Sequence, residues 1–247
     1  MNLIRRLIVR GGDAEPTQPW SVASALLTIA FAFAALIFGS ALALVWLGER
    51  DYTPLAGLIL GGILITLFVW QTHRSDLGAL RLFPSTTPIL FIMFIALGFA
   101  IGLDLIGLAV TREFLPKPEL LGLSPGALGA AQWLVASAFL VVVQPIAEGL
   151  VFRGVALPAI RTLLGAWGGL LATAVIVGVF HMLIYPPNYN TTSALTPLWY
   201  GLLVPVLEAI FFSLVRANTG STRVSIAAHA AFGLFAVLKL LTLAGGA

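Results

Sequence analysis

The sequence contains no cysteine and very little charge. Of its 247 residues, 9% are charged and 60% are hydrophobic, and the mean hydropathy is +1.04. A chain without cysteine has no disulfide, no thiolate metal ligand and no cysteine nucleophile. Soluble domains carry about 25% charged residues, because their surfaces face water. The shortage of charge therefore excludes an ordinary soluble domain and indicates that most of the surface faces lipid.

The first twenty residues lack a long apolar run and instead contain five charged side chains: Arg5, Arg6, Arg10, Asp13 and Glu15. The first apolar run starts at Ser21 and continues well beyond the length of a signal-peptide core. We therefore interpret residues 1–20 as a cytoplasmic N-terminal segment and not as a signal peptide.

Apolar segments long enough to cross a bilayer recur along the chain. They cover residues 21–48, 53–71, 88–110, 131–151, 164–185, 196–215 and 222–245, and the fourth continues to about residue 160 as an amphipathic extension. Inside a bilayer the backbone must satisfy its own hydrogen bonds, so these segments are expected to be helices. Leu115 to Leu123 is a weak candidate for an eighth. The sequence predicts an all-α membrane protein, a polytopic bundle of about 7–8 transmembrane helices. One membrane domain contains the helices of 21–125 and those of 126–247.

Positive residues in the loops predict the orientation. With the N-terminus in the cytoplasm, eight arginines lie on that side, and Arg50, Arg112 and Lys117 lie on the other. This bias favours a cytoplasmic N-terminus, and we predict an integral protein of a bacterial plasma membrane. The net charge of +3 is small and sits in short loops, so it does not indicate nucleic-acid binding.

Ionisable residues interrupt three of the apolar segments. Glu148, His181 and His229 lie inside them, and Arg153 accompanies the first. Charged groups are costly in hydrocarbon and mark a functional site by default. Gln144 lies four residues before Glu148 and shares its helical face. Arg153 lies five residues after Glu148, about 140° around a straight α-helix, and is poorly placed to pair with it.

These residue types are compatible with more than one kind of site. A glutamate and two histidines can bind a divalent metal such as zinc and leave one position open for water. The same groups can act without a metal, as base, orienting group and oxyanion donor. Each could also be a structural side chain that is hydrogen-bonded to another helix. The spacing, one group per helix, does not decide among these alternatives.

The string EGLVFRG, which contains Glu148 and Arg153, resembles the EExxFRG signature of the CAAX-protease and bacteriocin-processing family of intramembrane endopeptidases. His181, in VGVFHML, lies where the histidine of the second family motif is expected. His229, after the threonine-glycine-serine turn at residues 219–221, lies where that of the third is expected. The resemblance covers residues 134–238, and the N-terminal helices have no comparable motif.

The resemblance implies a function for each of these residues. Glu148 and His181 would activate a water molecule, His229 would bind a metal or stabilise the oxyanion, and Arg153 would hold the geometry of the first motif. Both a metal-dependent and a metal-free mechanism stay open. The implied substrate is a membrane-associated peptide or protein, and the implied surroundings are the lipid bilayer.

Three positions differ from the family motifs. Gly149 stands where a second glutamate is expected, Val177 replaces a phenylalanine, and Gly233 replaces an asparagine or aspartate four residues after His229. Two further hypotheses follow. The protein could be a catalytically impaired member that acts as a membrane scaffold or an immunity-type binding protein. It could also be a transporter with a proton relay, although the sequence has no internal repeat of the kind that such folds show.

Three other charged residues lie in the apolar segments. We interpret Glu208 as a structural partner for Arg216 or Arg153. Asp104 and Lys239 are expected to extend separately towards the membrane interface.

Overall fold

The computed structural model describes residue 12 and residues 18–83, 85–121, 123, 129–191 and 193–245. Every regular element in these ranges is helical, which confirms the all-α prediction. The helices are α1 (Val22–Leu47), α2 (Thr53–His73), α3 (Ile89–Thr111), α4 (Ala130–Ser137), α5 (Gln144–Glu148), α6 (Leu157–Ile184), α7 (Leu195–Leu198), α8 (Val204–Thr219) and α9 (Thr222–Gly245). Most of the predicted N-terminal segment lies outside the described residues, so its cytoplasmic location stays a prediction.

Within the described ranges, six helical stretches are long and apolar enough to cross a membrane. The fourth, Ala130–Ile184, has 55 residues. At 1.5 Å per residue it would be about 80 Å long, far more than the roughly 30 Å of a bilayer core. It breaks at Gly165, where φ is 75° and ψ is 173°. Since glycine tolerates this conformation, the chain turns back there and forms two antiparallel passes. Seven crossings result, in agreement with the predicted segments.

The two ends of the bundle are defined by their connections. We call the end that contains Gly165 the Gly165 face. There Ser85 donates a hydrogen bond to the carbonyl of Thr219 (3.2 Å), and Ser221 donates one to that of Phe83 (2.9 Å). We call the opposite end the loop face, because it contains the connection from α3 to α4 and the connection from α6 to α7.

Helices α1 and α2 form a closely packed pair. A Cβ atom added to Gly61 would lie 2.7 Å from the Cα of Leu36 and 2.8 Å from the carbonyl oxygen of Ala35. Gly39 and Gly57 approach the facing helix just as closely. Small residues allow membrane helices to gain contact area without a hydrophobic driving force, and this pair uses that kind of packing.

Three π-helical turns occur in the C-terminal part: Ala138–Val143, Gly149–Ala156 and Trp199–Leu203. Each is followed, two residues after its end, by a proline: Pro145, Pro158 and Pro205. A proline ring clashes with the carbonyl four residues earlier, and here that carbonyl always lies in the π-helical turn. A widened turn relieves this clash, so the prolines explain where the helices widen.

The predicted eighth helix at Leu115–Leu123 is absent from the described part of this segment. Its regular structure there is a single 3-10 turn, Pro118–Leu120. Leu120 is fully buried and Glu119 is buried beside it. The segment is therefore a loop that folds from the loop face into the bundle.

Candidate active site

Glu148 and His181 lie side by side within the bundle. The Glu148 Oε2 and His181 Nε2 atoms are 3.1 Å apart, and both side chains are buried. Glu148 lies 17 residues before Gly165, and His181 lies 16 residues after it. In an antiparallel hairpin, equal distances from the turn bring residues to the same depth. The break at Gly165 therefore determines that these two side chains meet.

The amide of Gln144 orients the Glu148 carboxylate. Its Nε2 donates a hydrogen bond to Glu148 Oε1 at 3.0 Å, as expected for two residues on one helical face. The Tyr185 hydroxyl donates to the same oxygen at 3.4 Å. Burial, together with the negative charges of Glu148 and Glu119, raises the pKa of Tyr185 well above its usual value. The hydroxyl therefore stays protonated and remains a donor.

A second carboxylate, which the sequence did not predict to be in the site, comes from the loop after α3. Glu119 Oε1 lies 3.5 Å from His181 Nδ1, on the side of the imidazole away from Glu148. The same oxygen accepts a hydrogen bond from Gln144 Nε2 at 3.2 Å. His181 and Gln144 therefore each contact both carboxylates, Glu119 and Glu148.

His229 lies near this cluster but is not hydrogen-bonded to it. Its ring stacks on that of Phe212, with centroids 4.7 Å apart and an interplanar angle of 27°. The imidazole is buried, and no described group donates to or accepts from Nδ1. His229 and Glu148 are close enough for their charges to interact. The structure thus brings Glu148 and His181 into direct contact and places His229 beside them.

Arg153 packs against the other residues through an aromatic ring. Its guanidinium carbon is 5.0 Å from the centroid of Phe212, the same ring on which His229 stacks. The segment Gly149–Ala156 is π-helical, and i→i+5 bonding brings residues five apart onto nearly the same face. Arg153 therefore lies closer to the side of Glu148 than a straight α-helix would allow. Glu148 and Arg153, both described by the structure, form no direct ion pair, and their charges interact at longer range.

Glu208 forms an ion pair with Lys117, a partner that the sequence did not predict. The Lys117 Nζ atom lies 2.8 Å from Glu208 Oε1 and 3.0 Å from Oε2. Burial lowers the pKa of Lys117, but the carboxylates of Glu208 and Glu119 raise it by more. The net pKa lies above its usual value, and the amine stays charged. The loop therefore brings a cation to the middle of α8. The positions of the apolar segments in the sequence do not predict this contact.

Asp104 and Lys239 do not extend separately to the interface. They form an ion pair between α3 and α9. The ammonium group also lies 4.2 Å from the ring centroid of Phe114. This pair connects an N-terminal helix to the last helix, outside the Glu148 and His181 contact.

Close helix packing occupies the space at both glycines that replace motif residues. A Cβ atom at Gly149 would overlap the side chain of Ile226, and one at Gly233 would overlap the backbone carbonyl of Leu140. Helix α9 thus lies directly against the segment that contains Glu148. Val177, the third departure, is buried in the core. The space beside Gly149 and Gly233, where the family motifs have a side chain, is therefore filled by neighbouring helices.

The donor atoms do not fit a divalent cation as they are arranged. Among the described residues, no group of three or more His, Cys, Asp or Glu side chains is placed to hold a metal ion. Glu148 and His181 bond each other directly, and His229 contacts neither. The predicted metal site at Glu148, His181 and His229 stays a prediction, and the hydrolysis proposed for this protein does not depend on a metal.

The similarity to known proteins lies in the part of the chain that contains Glu148, His181 and His229. Residues 130–235 match the family model described as Type II CAAX prenyl endopeptidase Rce1-like. Over these residues, which are less than half of the chain, the sequence is similar to the CAAX-protease family. No curated protein and no solved structure matches the chain.

All four residues expected to act in a CAAX-protease site, Glu148, Arg153, His181 and His229, lie within the matched region. Six helical stretches that are long and apolar enough to cross a membrane, together with this similarity to a family of membrane proteases, identify the chain as an integral membrane protein. Helices α1 to α3 and the loop residues Lys117 and Glu119 lie outside the match.

Sequence reasoning missed Lys117, Glu119 and Tyr185. The signal for the first two is the string PKPEL at residues 116–120, in which two ionisable residues interrupt the weak apolar stretch from Leu115 to Leu123. For Tyr185, the signal is its position four residues after His181, one helical turn away.

Proposed function

We propose that the protein is an intramembrane endopeptidase that hydrolyses a peptide bond of a membrane-associated substrate. The observation that carries this proposal is the 3.1 Å contact between Glu148 and His181, buried within an apolar bundle. A carboxylate and an imidazole at this distance can share the protons of an attacking water molecule. The similarity of residues 130–235 to the CAAX-protease family supports the same reaction class.

In the proposed reaction, the Glu148 carboxylate accepts a proton from water while the water oxygen bonds to the peptide carbonyl carbon. The carbonyl π electrons move to oxygen and form an oxyanion. His229, whose Nδ1 atom has no described partner, is available to donate a hydrogen bond to this oxyanion. The oxyanion electrons then re-form the C=O bond as the C–N bond breaks, and the proton held by Glu148 and His181 passes to the leaving nitrogen. The products are a carboxylic acid and an amine, and transfer of the acid's proton to the amine gives a carboxylate and an ammonium group.

Water has a suitable place beside His181. A cavity of about 10 Å³ adjoins this imidazole and is lined by five polar side chains, Lys117, Glu119, His181, Tyr185 and Tyr200, among other residues. This volume is about that of one water probe, and a buried water needs two to four polar partners. The lining residues meet that requirement.

The decisive experiment measures cleavage of a membrane-anchored peptide by the full-length protein in liposomes. We expect Glu148→Gln to lower the rate by about 10²–10⁴-fold, the usual contribution of a general base. Glu49→Gln, which removes an exposed carboxylate from the loop between α1 and α2, is the control for charge. Persistent cleavage by Glu148→Gln at the wild-type rate would overturn the proposal. Loss of wild-type cleavage after chelation would show that a metal takes part.

The alternative of a catalytically impaired member is favoured by one observation. The close packing of Gly149 and Gly233 leaves the cluster enclosed by α9, with no donor side chain at position 233. In that case the protein would bind a membrane partner without cleaving it. Unchanged cellular function in a His181→Ala, His229→Ala double variant would support this alternative, because a hydrolase would lose its function.

A further inference from the structure

Glu119 reaches the site from outside the helices that contain the motifs. It belongs to the loop between α3 and α4 and lies before the family match begins. One oxygen, Oε1, accepts a hydrogen bond from Gln144 and lies 3.5 Å from His181 Nδ1. The other, Oε2, is buried, and no described group donates to it. A carboxylate is costly to bury, so this arrangement requires an explanation.

We propose that Glu119 is a positioning residue that holds the imidazole of His181 through Nδ1. The inference rests on the proposed hydrolase function, in which His181 acts through Nε2 beside Glu148. A neutral imidazole carries its proton on one nitrogen, and the hydrogen bond to that nitrogen determines which. A carboxylate 3.5 Å from Nδ1 attracts a proton to that nitrogen by its charge and favours this orientation of the ring. Nε2 is then free to exchange a proton with Glu148 or with water.

The loop that contains Glu119 is held at three further points. Lys117 forms its ion pair with Glu208 at 2.8 Å. The Tyr189 hydroxyl donates to the carbonyl of Pro116 at 2.8 Å. Glu113 accepts hydrogen bonds from Thr191 and Thr196 at 3.0 and 2.8 Å. These contacts fix the backbone that precedes Glu119, so its carboxylate is held in a defined position.

Glu119 also supplies a carboxylate that the motif helix itself lacks. Gly149 carries no side chain, and Ile226 occupies the space where one would begin. A second negative charge can therefore reach the site only from another element. The loop does this from the side of His181 that faces away from Glu148.

The test uses the small number of histidines in the chain, which has three. Nitrogen-15 labelling of histidine in the full-length protein in lipid bilayers gives few signals, and His181→Asn assigns one pair of them. In the wild type we expect His181 Nδ1 to show the chemical shift of a protonated ring nitrogen. In Glu119→Gln the charge that holds this proton is lost. We then expect the Nδ1 signal to move towards the unprotonated value.

The control for displacement of the loop is Glu113→Gln, the same change at a residue that holds this loop but lies away from His181. It should move the ring-nitrogen signals of His181 less than Glu119→Gln does, because Glu119 keeps its charge. The proposal is overturned if Glu119→Gln leaves the Nδ1 signal unmoved. It is equally overturned if Glu113→Gln moves that signal as far, because the cause would then be displacement of the loop.

Cleavage kinetics provide a second readout. We expect Glu119→Gln to lower kcat by about 10–100-fold, as for other partners that orient an imidazole, while KM stays within about twofold. Glu119→Asp keeps the charge on a shorter side chain and should recover part of the rate and the Nδ1 signal. A wild-type protein without cleavage would defeat the proposed function alone, since the nitrogen signals do not depend on turnover. Normal cleavage by Glu119→Gln, together with an unmoved Nδ1 signal in that variant, would defeat this inference and leave the proposed function intact.

Discussion

The N-terminal helices and the C-terminal region meet the demands of the bilayer in different ways. Helices α1 and α2 are regular and approach each other through glycines, and their few buried polar side chains are mainly threonines. The region from α4 to α9 has three π-helical turns and holds buried carboxylate, imidazole and guanidinium groups. Both regions are apolar enough to cross the membrane. Composition alone therefore does not distinguish them.

The difference teaches where the structure tolerates unfavourable groups. Glycine packing stabilises a helix pair by contact area and needs no polar groups. Buried charges require partners, and here each partner comes from another helix or from the loop after α3. We infer that α1 and α2 act as a scaffold and that the chemistry is confined to residues 117–229. The following predictions test that division.

The largest effect expected in this comparison follows from His229→Phe in the C-terminal region, because phenylalanine keeps a ring against Phe212 but has no hydrogen-bond donor. Loss of one oxyanion donor typically costs about 2.7–4 kcal/mol, or 10²–10³-fold in rate. We expect a reduction of this size in kcat, measured with a membrane-anchored peptide, with little change in the free energy of unfolding. An unchanged kcat would mean that His229 has a packing function on Phe212 and not a catalytic one.

A smaller effect, on stability and not on chemistry, is expected from Gly61→Leu in α2. The new side chain would overlap the backbone of Leu36 and Ala35. Overpacking typically lowers the free energy of unfolding by about 1–3 kcal/mol. The matched control is Gly98→Leu in α3, because a Cβ atom at Gly98 has no neighbour within 4 Å.

Detergent unfolding measures the stability of both variants, and cleavage per folded molecule measures their activity. We expect Gly61→Leu to keep its activity per folded molecule, since no site residue lies in α2. A loss of kcat as large as that of His229→Phe would remove the distinction between scaffold and site.

The smallest expected effect concerns Gly149. The Cβ atom of Gly149→Ala would meet the side chain of Ile226, which can be shortened. We expect Gly149→Ala to lower the free energy of unfolding by about 1 kcal/mol or more. The loss should be smaller in an Ile226→Ala background, with a coupling energy of about 0.5–3 kcal/mol between the two positions.

Gly233→Ala provides the contrast for this cycle, since its Cβ atom would meet the Leu140 carbonyl. Backbone cannot be shortened, so no single side-chain change should rescue it. Equal costs for Gly149→Ala in the two backgrounds would show that Ile226 does not occupy the position of the missing side chain.

Much of the molecule could be predicted from the sequence. Apolar runs and the scarcity of charge predicted helical crossings, and the structure confirms an all-α fold. The four-residue spacing of Gln144 and Glu148 predicted a shared face, which their 3.0 Å hydrogen bond confirms. The position of Arg153 relative to Glu148 could not be predicted in the same way. The predicted angle of about 140° assumes 3.6 residues per turn, whereas the segment that contains Arg153, just before Pro158, is π-helical. The functions of Glu148, Arg153, His181 and His229 stay predictions.

By itself the sequence determined that the chain lies in the membrane and which ionisable residues must be buried there. Both follow from the cost of exposing charge to hydrocarbon, which depends only on composition and position along the chain. The tertiary structure decided which of those groups meet. Glu148 contacts His181 because the chain reverses at Gly165, and Glu119 joins them because a loop folds inward. Neither contact is visible in spacing, since each depends on where distant segments pack.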